Sequence, residues 1–421
     1  MSTLRRIYSA RTRANWFGLG RSGRALRLLL CGLVTGSLLI CAAGCPKRGS
    51  VGPGRGGKAR AERVTIGAFM CNTGDNSTYG QSCTKGMGLR VKEINEGGGA
   101  LGKPLRLIVL DDQSKQEEVA SAVKKLIEQE KVCAVIGEVL STSSLTAAPI
   151  CQRARVPMVT PCSTNPRVTR EGDYIFRVCF TDDFQGYAAA VLAYQKLAAN
   201  RAAVLMDQSG DYSKGLSEVF SQWFQKFGGT IVTEESYVQR DSDFRPQLTS
   251  IKQVGADVIY VPGYYQEVGP IVKQARELGI TQPLIGGDGW DSPKVIEIAG
   301  AAARDCYYTN HYSPDDPRAA EFVAAYKAEY AKVPDALAAL GYDAVGVVAD
   351  AINRAGKADP KAIRDALADT KGFKGATGEI TMDAERNPTK GAVVLAIRQT
   401  KQGMAPELYT EILPLLKEKK Q

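Results

Sequence analysis

Residues 132–154 read VCAVIGEVLSTSSLTAAPICQRA, a stretch that joins a buried strand directly to a helix. The apolar run VCAVIG predicts the strand, and LTAAPICQRA predicts the helix. Between them stand four consecutive hydroxyl residues: Ser141, Thr142, Ser143 and Ser144. One hydroxyl is enough to cap a helix N-terminus. Hydroxyls and free amides at the positive end of a helix also suit a carboxylate or phosphate. From this turn alone, a cap and an anion site both remain open.

The same order of strand and helix recurs from residue 63 to about residue 290. Apolar strands such as RVTIGAFM, LRLIVLDD and ADVIYVPG alternate with amphipathic helices. This alternation predicts an α/β protein with mostly parallel sheets and helices on both faces. The alternation breaks near 181–186 and again near 307–314, which predicts two lobes and a hinge that the chain crosses more than once. We expect one lobe to comprise 63–182 plus 312–392, and the other 183–311 plus 393–421.

Ligands of such sheets bind beyond the carboxyl ends of the strands, where the loops gather. Four stretches lie at predicted carboxyl ends: the hydroxyl turn, VTPCSTNP at 159–166, VPGYYQEVG at 261–269 and GGDGWDSP at 286–293. We expect all four to face one cleft between the lobes.

The net charge of +9 does not predict a nucleic-acid partner, because the positive charge is concentrated at the N-terminus. Of 54 basic and 45 acidic residues, 13 basic and one acidic precede residue 64. The rest of the chain holds 41 basic and 44 acidic residues, so the predicted folded part is mildly acidic.

The N-terminal 44 residues have the pattern of a secretory signal, with seven arginines before the apolar run LLLCGLVTGSLLICAAG. The sequence Ala42-Ala43-Gly44-Cys45 resembles a bacterial lipobox, which implies cleavage before Cys45 and lipidation of its thiol. An ordinary signal peptide or an uncleaved anchor are the alternatives. Residues 45–62 are rich in glycine and basic residues and predict a flexible tether. We expect no apolar stretch of about 20 residues, the length that spans a bilayer, after the leader.

Cysteine and histidine usage argues against several kinds of site. Seven cysteines follow Cys45, and in an exported protein some can pair. Cys71 and Cys83 flank a short loop and are the first candidate pair, whereas several others stand in apolar runs typical of buried thiols. CxxC spacing is missing, so a zinc site is not expected. The single histidine, His311, and the lack of GxSxG and P-loop motifs argue against an enzyme.

These motifs, taken in order, resemble the periplasmic leucine/isoleucine/valine-binding proteins of bacterial ABC importers. The resemblance covers about residues 63–400 and rests on the opening segment IGAFMCNTGDNSTYG, VIGEVLSTSSLTAAP, VPMVTPCSTNP, MDQSGDYSKGL, DVIYVPGYYQEVG and LIGGDGWDSP. It implies the type I periplasmic-binding fold, in which two lobes close on a ligand. It implies no cofactor and no metal.

The resemblance also assigns roles to residues of this chain. Ser141 would bind the ligand carboxylate, and the turn containing Cys162, Ser163 and Thr164 would supply a carbonyl and a hydroxyl. Asp288 would pair with the ligand ammonium; relatives have Glu there, which is one methylene longer. Taken alone, Asp288 is more typical of a plain turn residue than of a ligand-binding residue. Three tyrosines and a leucine would complete the pocket: Tyr79, Tyr212, Tyr264 and Leu140.

The predicted function is therefore capture of a free amino acid for an ABC permease. Val139, Leu140 and Leu337 are apolar and favour a branched-chain ligand such as leucine, isoleucine or valine. The predicted partners are the amino acid, the permease subunits and, through the lipid, a membrane. The protein would be exported to the periplasm. The alternative function is a sensor for an amide or another small carboxylate, since the same fold serves in receptors.

Overall fold

The computed structural model describes residues 62–414. The predicted signal peptide at 1–44, Cys45 and the tether up to residue 61 lie outside the described residues. In chain order the strands are β1 (Val64–Met70), β2 (Leu105–Asp111), β3 (Val135–Ile136), β4 (Met158–Thr160), β5 (Ile175–Arg177), β6 (Arg201–Asp207), β7 (Thr230–Tyr237), β8 (Val258–Tyr260), β9 (Leu284–Gly286), β10 (Cys306–Asn310), β11 (Phe373–Gly375), β12 (Gly378–Ile380), β13 (Ala392–Thr400) and β14 (Gly403–Ile412). The α-helices are α1 (Ser77–Glu96), α2 (Gln116–Lys124), α3 (Ser141–Ala154), α4 (Arg167–Arg170), α5 (Asp182–Val191), α6 (Asp211–Lys226), α7 (Arg245–Val254), α8 (Tyr265–Glu277), α9 (Pro293–Ala299), α10 (Ala320–Tyr330), α11 (Ala336–Ala355) and α12 (Pro360–Ala368).

Two large sheets form the centres of the two lobes. The first has the order β2-β1-β3-β4-β5, and every pairing in it is parallel. The second has the order β14-β13-β10-β9-β8-β6-β7. It is parallel from β10 to β7, while β13 runs antiparallel to both β10 and β14. The α/β fold with two mostly parallel sheets is confirmed.

The chain passes three times between the two sheets. After β5 it enters α5 and the second sheet, and after β10 it returns through α10 to α11, which packs on α1 beside the first sheet. It then rejoins the second sheet as β13 and β14. Because three segments connect the lobes, a rotation of one lobe on the other is distributed over three backbone hinges.

Helix α1 begins at Ser77, close to the end of β1. This early start is possible because residue 80 is glycine. A Cβ at Gly80 would stand 2.4 Å from the backbone carbonyl of Cys71. Helix α12 is short, and β14 lies at an edge of the second sheet and carries polar residues.

Helix α11 corrects the expectation that no long apolar stretch follows the leader. It is 20 residues long, and an 18-residue window within it has a mean hydropathy of 1.3, enough by length and composition to cross a bilayer. However, 83% of this window is buried inside the protein. The helix contacts α1 and α12 and forms part of the core. Its apolarity therefore reflects burial on all sides.

The predicted Cys71–Cys83 disulfide is wrong: both residues are buried free thiols. The Cys71 thiol donates to the carbonyl of Asn76, within the loop that joins β1 to α1. Cys83 lies on the face of α1 that packs against α11, where a Cβ at Gly341 would stand 2.8 Å from its Sγ. The two side chains are directed toward different neighbours, so proximity in sequence does not bring their sulfurs together.

Candidate functional site

The loops after β1, β3, β4, β6, β8 and β9 meet in a small cavity between the two sheets. It measures about 20 Å³ and is lined by Tyr79, Val139, Ser141, Cys162, Thr164, Tyr212, Tyr264, Asp288, Gly289 and Leu337. Seven of the nine predicted ligand residues lie on this wall. Leu140 and Ser163 do not. The volume is room for roughly one water molecule, so an amino acid enters only if the surrounding groups move apart.

The hydroxyl turn is the first turn of α3, and the capping alternative is wrong. The N-cap position is Leu140, and no side chain caps the helix start. The hydroxyls have separate tasks instead. Ser141 faces the cavity and accepts a hydrogen bond from Asn165 N at 3.3 Å. Thr142 accepts one from Asp211 N of the other lobe at 3.4 Å, and Ser144 contacts the Ser163 hydroxyl at 2.7 Å.

A buried carboxylate fixes the backbone that precedes this turn. Glu138 is fully buried and accepts hydrogen bonds from Cys71 N at 3.0 Å and Leu140 N at 2.5 Å. The backbone carbonyl of Glu138 accepts hydrogen bonds from the hydroxyls of Thr160 at 2.8 Å and Ser163 at 2.9 Å. Burial raises the pKa of Glu138. The predicted ligand residues Leu140 and Ser163 thus belong to the scaffold that holds the turn.

The second turn, after β4, is held by an arginine that the sequence did not single out. Arg177 is fully buried, and its guanidinium donates to the carbonyls of Ser163 and Asn165, both at 2.7 Å. Carbonyls held in this way fix the turn that presents Cys162 and Thr164 to the cavity. The Thr164 hydroxyl oxygen is buried and has no hydrogen-bond partner among the described residues. An arginine inside the apolar strand YIFRVCF was the available signal.

Asp288 stands opposite, at the start of a single 3-10 turn after β9. Its Oδ1 accepts hydrogen bonds from Gln185 Nε2 at 2.9 Å and from the Tyr212 hydroxyl at 2.8 Å. Its Oδ2 lies 2.9 Å from His311 Nε2. The carboxylate is therefore fixed by three side chains while one edge remains on the cavity wall. Gln185 and His311 were not predicted to take part in the site.

His311, the single histidine of the chain, supports Asp288 from the segment that follows β10. Its imidazole is stacked on Phe180, with ring centroids 3.7 Å apart, and its side chain is 1% exposed. Burial lowers the pKa of His311, and the hydrogen bond to Asp288 opposes this shift. A neutral imidazole with the proton on Nε2 donates to the carboxylate. Its Nδ1 is buried without a partner among the described residues.

Three tyrosines cover the cavity and draw the lobes together. Tyr212 and Tyr264 are stacked, with centroids 5.1 Å apart and planes at 10°. The Tyr79 hydroxyl donates to the carbonyl of Gly289 on the other lobe. It also accepts a hydrogen bond from Tyr265 N at 3.1 Å. Tyr79 therefore crosses the space between the lobes and keeps the cavity small.

Contacts at both rims of the cleft show that the protein is in a closed form. On one side Arg240 Nε lies 2.8 Å from Asp75 Oδ2, and the Tyr265 hydroxyl donates to Asp75 O at 2.6 Å. On the other side the backbone carbonyl of Asp211 accepts a hydrogen bond from Asn165 Nδ2 at 3.0 Å, and the Asp211 carboxylate accepts one from the Arg167 guanidinium at 3.1 Å.

The two walls carry complementary hydrogen-bonding groups. One wall offers the Ser141 hydroxyl and the unpaired amides of the first turn of α3, which are donors for a carboxylate. The other offers the Asp288 carboxylate, and Thr164 adds a free hydroxyl oxygen. Groups of three or more residues able to hold a metal ion are not found within residues 62–414. The arrangement can pair both charges of a small zwitterion.

Comparison with known proteins identifies relatives of the whole folded region. The family model for periplasmic binding proteins matches residues 63–402. The Leu/Ile/Val-binding protein BraC3 of Rhizobium johnstonii is 32% identical over 325 residues, which cover 76% of this chain and 87% of that protein. The solved structure of the leucine-binding protein LivK from Thermotoga maritima is 40% identical, with a TM-score of 0.79; the match covers 83% of this chain and 99% of that one.

A second solved structure is the substrate-binding protein LivJ of a branched-chain amino acid transporter from Streptococcus pneumoniae, in complex with isoleucine. It is 35% identical with a TM-score of 0.77, over 83% of this chain and 99% of that one. The chain therefore belongs to the periplasmic binding protein family, among the Leu/Ile/Val-binding proteins of ABC transporters, which are exported solute-binding proteins and not enzymes.

Proposed function

We propose that this protein captures a free amino acid with an aliphatic side chain, such as leucine, isoleucine or valine, and delivers it to an ABC permease. The observation that carries the proposal is the cavity wall with Ser141 at a helix start on one lobe and Asp288 on the other. A zwitterion placed there has its carboxylate at Ser141 and its ammonium at Asp288. Burying both charges is favourable only when both are paired.

The ligand pairs both charges only when the lobes are together, so its binding stabilises the closed form. We assign the lobes to 63–182 plus 312–392 and to 183–311 plus 393–421. Val139 and Leu337 add apolar wall beside the charged groups, which supports an aliphatic ligand side chain. The related leucine-binding protein LivK and the related LivJ in complex with isoleucine point the same way. The permease would recognise the closed form, and lipidation at Cys45 would tether the protein to a membrane.

Isothermal titration calorimetry on ligand-free protein, with the twenty amino acids and a few short amides and carboxylates, tests this function. We expect heat from leucine, isoleucine or valine. Asp288→Asn should weaken that binding at least about 30-fold, because an ammonium is left without its carboxylate. Ser141→Ala should weaken it about 10-fold through the loss of a charged hydrogen bond.

Two control variants separate the site from the fold. Ser143→Ala removes a hydroxyl from the same helix turn that does not line the cavity, and Asp183→Asn removes an exposed carboxylate at the start of α5. Both should bind like the unaltered protein. Heat only from an amide or a carboxylate that lacks an ammonium would overturn the assigned ligand class and favour the sensor alternative.

A further inference from the structure

A second and larger cavity lies behind the wall of the first one. It measures about 690 Å³ and shares no lining residue with the amino acid cavity. Three chain segments nevertheless separate the two cavities. In each segment one residue lines the small cavity and the adjacent residue in the sequence lines the large one. The pairs are Tyr79 and Thr78, Gly289 and Trp290, and Leu337 and Ala336. We call the larger space the rear chamber.

The rear chamber is enclosed by both lobes and by the chain segment between β10 and α10. Its walls are largely apolar and aromatic, with contributions from Trp290, Val295, Tyr308, Tyr312, Tyr326 and Leu395. The volume and the mixture of aromatic wall with a few polar groups are those of a small-molecule site. Exposed residues such as Lys332 and Val333 stand at its mouth, so the chamber is reached from the surface.

Two carboxylates, those of Asp291 and Asp335, line the chamber and offer hydrogen-bond acceptors. Asp291 accepts hydrogen bonds from Tyr308 OH at 3.2 Å and from Ala336 N at 2.8 Å. Asp335 accepts hydrogen bonds on Oδ1 from the Ser82 hydroxyl and from Ala338 N. The Oδ2 of Asp335 accepts none from the residues that the structure describes. Each carboxylate therefore has acceptor capacity left, and neither forms a salt bridge within the described part of the chain.

The positive groups of the lining form no salt bridge with this pair. Lys85 lies over the ring of Tyr330, 6.0 Å from its centroid, and neither Lys85 nor Lys332 is within 4.0 Å of a described carboxylate. The two remaining acidic residues of the lining are at its surface: Glu297 is paired with Lys294 at 2.5 Å, and Asp315 is exposed. Burial and the nearby charge of Asp291 raise the pKa of Asp335 to about 7. A cation is the group that lets both carboxylates remain ionised.

We propose that the rear chamber is a second binding site, for a small organic cation: a primary amine whose ammonium lies between Asp291 and Asp335 and whose apolar body packs on the aromatic wall. An ammonium has three donors and matches the free acceptor positions of two carboxylates. Aromatic rings such as Trp290 and Tyr308 also favour a neighbouring cation.

The amine site does not depend on which ligand the smaller cavity takes, because the two cavities share no lining residue.

The test uses 2-phenylethylamine as the probe, with 2-phenylethanol and phenylacetate as neutral and anionic compounds of the same body. Calorimetry and saturation-transfer NMR at pH 7.5 should show binding of the amine, with each comparison compound at least about 30-fold weaker. Asp291→Asn should reduce the affinity for the amine about 10-fold or more. Val333→Arg, an exposed substitution that cannot disturb the core, should reduce it by adding positive charge at the mouth.

Asp288→Asn serves to separate the two sites, and it should leave amine binding unchanged. Equal binding of the amine and the alcohol would overturn the proposal. So would amine binding that is lost in Asp288→Asn but kept in Asp291→Asn, because the probe would then occupy the amino acid cavity. Amine binding in a protein that binds no amino acid would support the rear chamber while contradicting the proposed transport ligand.

Discussion

His311 Nε2 lies 2.9 Å from Oδ2 of Asp288, and these two residues come from different strand ends of the same sheet. The carboxylate that we assign to the ligand ammonium is thus oriented from behind by an imidazole. Gln185 and Tyr212 hold its other oxygen. Fixed orientation matters because a carboxylate that must first be ordered binds more weakly.

We expect His311→Phe to weaken amino acid binding by about fivefold, the value of one hydrogen bond near 1 kcal/mol. Phenylalanine retains the ring that stacks on Phe180 and removes only the donor. His311→Gln, which keeps an N–H donor, should retain more of the affinity. Calorimetry on both variants checks this, with thermal unfolding to compare their stability. Unchanged affinity in His311→Phe would mean that Gln185 and Tyr212 suffice to orient Asp288.

Tyr79→Phe should shift the ligand-free protein toward an open form. The Tyr79 hydroxyl makes two hydrogen bonds to the other lobe, through Gly289 O and Tyr265 N. Each contributes on the order of 1 kcal/mol to closure. Small-angle X-ray scattering should therefore give a larger radius of gyration for ligand-free Tyr79→Phe, and an unchanged value once ligand is bound. Tyr194→Phe, which alters a tyrosine within one lobe, is the control. An unchanged ligand-free radius would show that the rim contacts dominate closure.

The alternation of strands and helices could be predicted because hydrophobic periodicity is a local property of the sequence. The loops of the site could be predicted for a related reason: in parallel sheets, the carboxyl ends of neighbouring strands meet at one edge. This reasoning placed Ser141, Thr164 and Asp288 together, although 124 residues separate Thr164 from Asp288 in the chain.

The supporting residues could not be predicted, because their partners are distant in sequence. Gln185 and Asp288 are 103 residues apart, and no local pattern links them. Leu140 and Ser163 lie off the cavity wall for a different reason. They lie beside cavity residues in the chain, and only the backbone direction of each turn decides which neighbour faces inward. The same limit applies to Cys71 and Cys83, whose short spacing does not show where their thiols are directed.

Gly86→Ala should destabilise the protein by about 1–3 kcal/mol, the usual cost of overpacking. Gly86 is buried where α1 meets α11, and a Cβ there would stand 1.9 Å from the carbonyl oxygen of Ala338. Gly88, on the same helix, is exposed, and its nearest atom to a new Cβ is the Tyr330 hydroxyl at 3.6 Å. Gly88→Ala should therefore stabilise the helix by up to about 1 kcal/mol. Urea unfolding of the pair checks both signs; equal effects would contradict the close helix contact.

Asp112→Asn should make the stability of the protein less dependent on pH. Asp112 is buried near Glu138, and its Oδ2 has no hydrogen-bond partner among the described residues. Burial, followed by the charge of Glu138, raises the pKa of Asp112 to about 8. The unfolded value is near 4. Between those values the folded protein binds more protons than the unfolded chain, so the contribution of Asp112 to stability is full below pH 4 and is lost as the pH rises toward 8.

The neighbouring Asp111 has the opposite shift and provides the matched control. Burial raises its pKa, but hydrogen bonds from Thr73 and Gln113 outweigh burial and lower it overall. The contribution of Asp111 to the stability of the folded protein is therefore present above the pKa of the unfolded chain. It is lost as the pH falls through the pKa of the folded state. Denaturant unfolding at pH 5, 7 and 9 checks both variants. At pH 9 the free energy of unfolding of Asp112→Asn should exceed that of the unaltered protein by on the order of 1 kcal/mol. Asp111→Asn should be less stable than the unaltered protein at pH 7 and above. A loss of stability at pH 9 in Asp112→Asn would mean that its ionised carboxylate is stabilised by a group that Asn cannot satisfy.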